Sequence, residues 1–394
     1  MATNAAEHLE TLRATVASTS NLLAQLLSSF PAAETASSSS TREGNEEGNP
    51  DEEDEESSTI DALKLSRDSA SLIRAHSTKL SLLIISEPFT PSAITTVLRE
   101  LGSGPLPGLA SAAQLCHGSK YTKAMRNELL WRAKNVLTEL SALVKLVPLD
   151  GKVLSPDQKS GNGGIEGKGS LSATGVVWEA CDALLELHDL GVAGLIIKKT
   201  EQYRDLIKDA LEELQEWGEE QSDDEDNEET ASEDIDDGVD MSAQNALDDM
   251  FASQRHIPSD DPEKIRPRLE SCNKRLRMII LMYQAVIKRR LRTLPTIPHP
   301  KLPVELTAKS NEDPGIVNCL DELLGVFKKI PDIADELASA FYDLDGTEID
   351  KRMDQCFFTG FAAAELLIKN WEGEQDEFTT WVLELPIIHS DAES

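Results

Sequence analysis

Apolar residues recur every three or four positions through most of this 394-residue chain. The clearest series lies between Leu129 and Val147, and others follow Ala193, Leu269 and Met353. This spacing places the apolar side chains on one face of an α-helix, which turns once in about 3.6 residues. The sequence shows no convincing period-two alternation of the kind that strands carry. The pattern therefore predicts an all-α fold.

Prolines separate the apolar series from one another. They gather at 88–91, 105–107, 258–267 and 295–303. Because proline is costly inside a helix and tolerated at its start, the long spans between these clusters favour helices joined by loops. We predict helices at residues 5–29, 60–86, 92–101, 121–147, 174–217, 263–294, 315–343, 347–371 and 376–385. We expect the helix at 174–217 to break near Gly191, and Thr347 with Asp350 resembles a capping box.

The net charge of −33 is concentrated in two short tracts. Residues 43–56 contain nine acids and no base, and residues 219–240 contain thirteen acids and no base, so together they hold 22 of the 33 excess charges. Such tracts bury too little apolar surface to offset the entropy of ordering. We therefore predict disorder over 31–58 and 218–241, and a flexible glycine-rich loop at 150–170.

The second acidic tract divides the predicted helices into two bundles. We predict an N-terminal bundle over 1–217, which contains the insert 31–58 and the loop 150–170. A largely disordered acidic linker follows at 218–261, and a C-terminal bundle occupies 262–388. Long helices joined by loops pack nearly antiparallel in such bundles.

The composition argues against two classes of partner. A chain with 71 acids and 38 bases lacks the excess of lysine and arginine that phosphate groups require, so we expect neither nucleic acid nor membrane as a partner. The five cysteines are widely spaced, and the N-terminal residues carry acids where a signal peptide carries bases. Both observations predict a reduced, intracellular protein.

Sequence motifs for chemistry are missing as well. No local spacing of histidine and cysteine suits a metal ion. The glycine-rich run at 161–170 departs from the phosphate-loop pattern at two positions and follows no predicted strand. We therefore predict no catalytic residue, no cofactor and no metal ion, and a protein that is not an enzyme.

The segment 264–292 has the opposite charge, with ten bases and one acid. A helical advance of about 100° per residue places most of these bases off the apolar stripe, whereas Arg290 falls on the apolar side. One interpretation is a nucleic-acid or nuclear-import surface. The interpretation that we favour is a solvated helix face, partly neutralised by the acidic linker. The candidate basic surface consists of Lys274, Arg275, Arg277, Lys288, Arg289 and Arg292.

Three serines in acidic surroundings fit the loose pattern of casein-kinase-type sites, as does any serine in an acidic coil. They are Ser222 and Ser232 in the predicted linker and Ser390 near the C-terminus. A phosphate group at the linker sites would add negative charge. Our hypothesis is that the linker folds over residues 274–292 and that phosphorylation strengthens this contact.

Three short segments resemble the cyclin-D-interacting protein family. They are Val177-Trp178-Glu179-Ala180-Cys181, the basic stretch from Cys272 to Met278, and Leu320-Asp321-Glu322-Leu323. The order of parts also agrees: long helices, the V-W-x-A-C segment, an acidic gap and a basic helix. The resemblance implies two helical bundles of the vinculin and catenin type, binding to cyclin D and to helix-loop-helix transcription factors, and shuttling between cytoplasm and nucleus. It further implies a negative effect on cell-cycle progression, and it provides no catalytic or cofactor residue to carry over.

Two interpretations from other classes stay open. The acidic tracts are compatible with a chaperone of basic proteins such as histones, since such tracts attract cations at long range. The implied bundles are also compatible with a vinculin-like cytoskeletal scaffold. Both interpretations, like the first, describe a protein that acts through contacts with other proteins.

Deletion of residues 219–240 tests the proposed contact between the linker and the basic segment. If the acidic linker covers residues 274–292, its removal should accelerate amide hydrogen exchange there, because the segment loses a covering layer. Hydrogen exchange measured by mass spectrometry provides the comparison, with deletion of residues 43–56 as the control. Exchange that stays unchanged in the first deletion would remove the hypothesis.

Overall fold

The fold is helical throughout the part of the chain that the structure describes. The structure, a computed structural model, describes residues 2–30, 60–160, 169–219, 256–258, 260–298 and 315–384. Every regular element in these ranges is a helix, which confirms the predicted all-α class. The predicted insert 31–58 and most of the predicted linker 218–261 lie outside the described residues.

Residue contacts divide the chain into two compact units, Met1–Leu195 and Ile196–Ser394. The first unit contains α1 (Ala2–Ser29), α2 (Ala62–Ile85), α3 (Pro91–Ser103), α4 (Pro105–Leu115), α5 (Gly118–Tyr121), α6 (Lys123–Lys145), α7 (Pro156–Ser160) and the first part of α8 (Ser170–Glu219). Within it, α1 packs on α3 and α6, and α2 packs on α3 and α4.

The apolar spacing predicted the core of α6 correctly. Residues at successive turns from Leu129 to Val147 are all buried, as the 3.6-residue period requires. The predicted loop at 150–170, in contrast, contains the short helix α7, and only its residues 161–168 lie outside the described part.

The sequence prediction missed α4. Its prolines, Pro105 and Pro107, read as a break, yet both occupy the first turn of a helix, where the missing N–H leaves no hydrogen bond unmade. A glycine then lets α4 approach α2 closely, because a Cβ atom on Gly108 would lie 2.7 Å from the Ser69 hydroxyl oxygen. A larger residue at this position would require the Ser69 side chain or one of the two helices to shift.

Helix α8 bends at Gly191, as predicted. Gly191 has φ 60° and ψ −172°, a combination that residues with a side chain rarely adopt. The two units divide shortly after this bend, upstream of the boundary at 217 that the charge pattern suggests. The reason is packing: the Trp217 ring lies 6.2 Å from the Phe341 ring and 5.5 Å from the Tyr342 ring, between centroids.

The second unit contains the rest of α8, α9 (Ile265–Arg289), the 3₁₀ turn Leu291–Thr293, α10 (Ile316–Tyr342), α11 (Gly346–Leu366) and α12 (Glu377–Glu384). Both α9 and α10 pack on α11.

Asp345 caps the start of α11 by accepting hydrogen bonds from the backbone N–H groups of Thr347 and Glu348, each at 3.0 Å. The predicted capping box is therefore wrong, and Asp350 instead binds the Arg268 guanidinium at 2.8 and 2.9 Å.

A proline inside α10 provides the hydrogen-bond acceptor for a buried tyrosine. Pro331 has no N–H to donate to the carbonyl of Phe327, four residues earlier. The Tyr283 hydroxyl of α9 donates to that carbonyl oxygen at 2.9 Å, and the Tyr283 and Phe327 rings stack with centroids 4.2 Å apart. Burial raises the pKa of Tyr283 far above its usual range, so the phenol stays a donor. The proline thus ties α10 to α9.

A double-mutant cycle with Tyr283→Phe and Pro331→Ala tests this arrangement. Tyr283→Phe should lower the free energy of unfolding by about 1–2 kcal/mol, because the Phe327 carbonyl loses its donor in a buried setting. In the Pro331→Ala background the cost should fall by at least about 0.5 kcal/mol, since the alanine N–H can bind the same carbonyl. Urea denaturation measures both costs.

Tyr121→Phe is the control, because it also removes a tyrosine hydroxyl but lies in the other unit, where that hydroxyl accepts from the Ala62 N–H at 3.0 Å and donates to the Asp61 carboxylate at 3.3 Å. Its cost should be the same with Pro331 or Ala at position 331. Equal costs for Tyr283→Phe in the two backgrounds would contradict the assignment.

Candidate interaction surface

The candidate basic residues lie on α9 and its C-terminal extension, and the structure divides them into two groups. Arg275 lies 3.7 Å from the Asp354 carboxylate and sits over the Phe357 ring, 5.1 Å from its centroid. Arg277 donates a hydrogen bond to the Gln215 side chain at 3.4 Å. These two side chains are thus engaged by other helices of their own unit.

Arg289 is the third engaged residue, paired with Glu377 of α12 at 3.1 Å. Lys274, Lys288 and Arg292 are exposed. None of these three forms an ion pair with another residue in the described part of the chain. Half of the six candidate bases are therefore without an ion-pair partner in the described part, whereas the predicted neutralisation by the acidic linker falls mostly outside it and stays a prediction.

The exposed face of α9 combines charge with an apolar side chain. Lys274, Leu281 and Lys288 follow one another at intervals of seven residues, which places them on one face, roughly 10 Å apart along the axis. Leu281 is 51% exposed. The face thus presents a base, an apolar residue and a second base in a row.

A groove of about 460 Å³ lies beside this face, between α9 and α12. Its charged lining consists of Lys288 and Arg289 on α9 and Glu377 on α12. The rings of Phe378 and Trp381 lie 5.8 Å apart between centroids and form one wall. The apolar lining consists of Leu281, Ala285, Phe378 and Trp381.

Arg290 holds the α12 wall in place. Its side chain is 1% exposed, and its guanidinium donates to the two carboxylate oxygens of Asp376 at 2.7 and 2.9 Å. It also donates to the Leu367 carbonyl at 2.8 Å and lies 4.4 Å from the centroid of the Phe378 ring. The Arg290 hydrogen bonds outweigh desolvation and hold the pKa of Asp376 well below its usual range.

Asp376 also starts α12. Its carboxylate accepts hydrogen bonds from the backbone N–H groups of Phe378 at 3.0 Å and Thr379 at 3.1 Å. The Trp371 indole N–H donates to the Arg290 carbonyl at 2.8 Å and closes the end of α9. The sequence placed Arg290 on the apolar side, which is correct, but it offered no signal that Asp376 is its partner.

The other predicted sites fall into two groups. Ser222, Ser232 and Ser390 lie outside the described residues, so their phosphorylation stays a prediction. Among the described residues, no group of three His, Cys, Asp or Glu side chains is arranged to hold a metal ion. Within the same part of the chain, no helix is both long enough and apolar enough to cross a bilayer.

The V-W-x-A-C segment serves the packing of the first unit. The Trp178 indole N–H donates to the Thr78 hydroxyl at 3.1 Å, and the Arg74 guanidinium lies over the Trp178 ring at 5.4 Å. Arg74 also pairs with Asp182 at 2.9 Å. Burial raises the pKa of Cys181 to about 12, so its thiol stays protonated. These contacts join α8 to α2.

A comparison with known protein families found a match that includes the V-W-x-A-C segment. Residues 67–220 match the model described as Grap2 and cyclin-D-interacting, N-terminal. Over these residues, the chain is similar to the Grap2 and cyclin-D-interacting family. The resemblance predicted from the sequence is thereby confirmed, and the family domain includes the V-W-x-A-C segment. The groove beside α9 lies beyond the matched residues.

A relative from fission yeast extends the similarity past the family domain. An uncharacterized protein of Schizosaccharomyces pombe is 23% identical over 320 residues, which cover 81% of each chain. The similarity to this protein therefore covers about twice as many residues as the match to the family model over 67–220.

Replacement of Asp376 tests whether its ion pair with Arg290 holds α12 in place. Asp376→Asn should lower the free energy of unfolding by about 2–3 kcal/mol, because Arg290 keeps its charge in the interior without a counter-charge. Asp354→Asn is the matched control, and the partly exposed pair that it breaks with Arg275 should cost about 0.5 kcal/mol or less. Urea denaturation at neutral pH measures both changes.

The pH dependence of the free energy of unfolding tests the same ion pair between Arg290 and Asp376. Because the folded-state pKa of Asp376 is lowered, its contribution is complete above the ordinary Asp pKa of about 3.9 and declines as pH falls toward the folded-state value. The difference between the native protein and Asp376→Asn should therefore shrink below about pH 4. If the difference in free energy of unfolding between the two proteins grew toward acid pH, it would contradict a stabilising ion pair between Arg290 and Asp376.

Proposed function

We propose that this protein is a non-enzymatic regulator that binds cell-cycle or transcription partners through helical surfaces. The partners in this proposal are cyclin D and helix-loop-helix proteins, and binding restrains cell-cycle progression. The observation that carries the proposal is the match of residues 67–220 to a family described as cyclin-D-interacting.

The geometry of the second unit supports recognition of helices. Leu281, which is exposed, and Trp381, which is half-buried, line the same groove beside the exposed face of α9. A groove between two helices that combines an apolar lining with charged edges suits an amphipathic helix from a partner. Cyclins and helix-loop-helix proteins would act in the cytoplasm and the nucleus, so we place the protein in both.

A pull-down with the purified full chain tests the proposal. A D-type cyclin or a helix-loop-helix protein should be retained at about 150 mM salt and still at about 500 mM, because apolar contacts between helices are weakly screened. Histones form the comparison, since binding through the acidic tracts should fall steeply over the same range. A variant with the acids of 219–240 changed to amides is the control, and it should retain the cyclin.

Two results would contradict the proposal. If neither the cyclin nor the helix-loop-helix protein is retained, the partner class is wrong. If histones alone are retained, and the amide variant releases them, the chaperone interpretation replaces it. Co-sedimentation with actin filaments in the absence of cyclin binding would instead favour the cytoskeletal scaffold.

A further inference from the structure

We propose that the groove between α9 and α12 is the docking site for an amphipathic partner helix that carries acidic residues about two turns before and after its central apolar residue. This inference rests on the proposed function only in taking a protein as the partner. It names the surface that binds and the chemistry of the segment that fits it, neither of which follows from the family match.

The groove can bury apolar side chains of a partner. Leu281 and the edge of Trp381 are accessible, while Phe378 is buried beneath them. A volume of about 460 Å³ accommodates a few apolar side chains of a ligand. Their burial would remove from water the surface that the second unit leaves exposed here.

The spacing of bases along α9 favours acidic residues in the partner helix. Lys274 and Lys288 lie seven residues before and after Leu281 and form no ion pair with a described residue. A helix that lies along α9 with an apolar residue at Leu281 therefore passes, about two turns away in each direction, a base without an ion-pair partner among the described residues. Carboxylates at those two positions would pair with both bases.

Arg289 offers a third contact. Its present partner, Glu377, is 83% exposed, and an ion pair in such a setting contributes little to stability. A carboxylate from the partner helix could take the place of Glu377 at small cost. The charge next to the apolar lining is therefore positive, which favours acids over bases at the edge of the bound helix.

The groove is also fixed before the partner arrives. The hydrogen bonds from Arg290 to Asp376 and to the Leu367 carbonyl hold the start of α12 against the end of α9. A preformed groove spares the ordering cost that a mobile wall would add to binding. This rigidity separates the site from the isolated exposed side chains elsewhere, such as Trp131 on α6.

A pair of synthetic peptides tests the inference on the full-length protein. The first has about 18 residues, leucines on one face and glutamates about seven residues on either side of the central leucine; the second carries lysines instead of those glutamates. The acidic peptide should bind at least about 10-fold more tightly at low salt, because its carboxylates meet Lys274 and Lys288. Isothermal titration calorimetry measures both affinities.

Variants of the protein locate the binding. Leu281→Ala should weaken the acidic peptide about fivefold or more, and Lys274→Glu and Lys288→Glu should each weaken it about threefold or more. Leu72→Ala and Lys134→Glu are the matched controls in the first unit; Leu72 is 50% exposed, close to the value for Leu281. Neither control should change the affinity. Urea denaturation verifies that every variant is folded.

Each contrary result is informative. Equal affinity for the two peptides, no binding of either, or weakening by the controls alone would overturn the inference. So would a dimer of the native protein that Leu281→Ala dissociates, because a second copy would then occupy the groove. A protein that binds the acidic peptide through Leu281 but retains no cyclin or helix-loop-helix protein would support the groove and contradict the proposed partners.

Discussion

A guanidinium group cannot lose its proton at any pH at which this protein folds, and Arg290 lies almost wholly out of contact with water. The fold must therefore bring acceptors to it, and these come from a distant part of the chain, at Leu367 and Asp376. This requirement fixes the last helix against the end of α9. The contact of Arg290 with Asp376 therefore also positions the α12 wall of the groove and its aromatic rings.

The sequence predicts most of the helices because their cause is local. The buried stripe from Leu129 to Val147 and the bend at Gly191 both follow from neighbours within a few turns. Helix α4 escaped prediction because prolines in a first turn look the same in a one-dimensional pattern as prolines in a loop. The cap at Asp345 was missed for a similar reason, since Thr347 offered an equally good local pattern.

The candidate surface could be predicted only in part. Helical geometry identified the charged face of α9 and set Arg290 apart from it. Which bases are neutralised depends on side chains that other helices contribute, Asp354 and Glu377 among them, and no spacing within α9 encodes these partners. The groove escaped prediction for the same reason, because its second wall is contributed by a helix about 90 residues further along the chain.

The route of α8 through both units bears on how this protein can be cut into fragments for expression. A fragment that starts at residue 262, where charge suggests a boundary, would lack the helical segment whose Trp217 ring covers Phe341 and Tyr342. In such a fragment the Phe341 and Tyr342 rings would lose this cover and become more exposed to solvent, which favours aggregation. A junction after Leu195, where the two units divide, would keep Trp217 in the same fragment as Phe341 and Tyr342 and would leave the first unit its buried Val192 and Leu195.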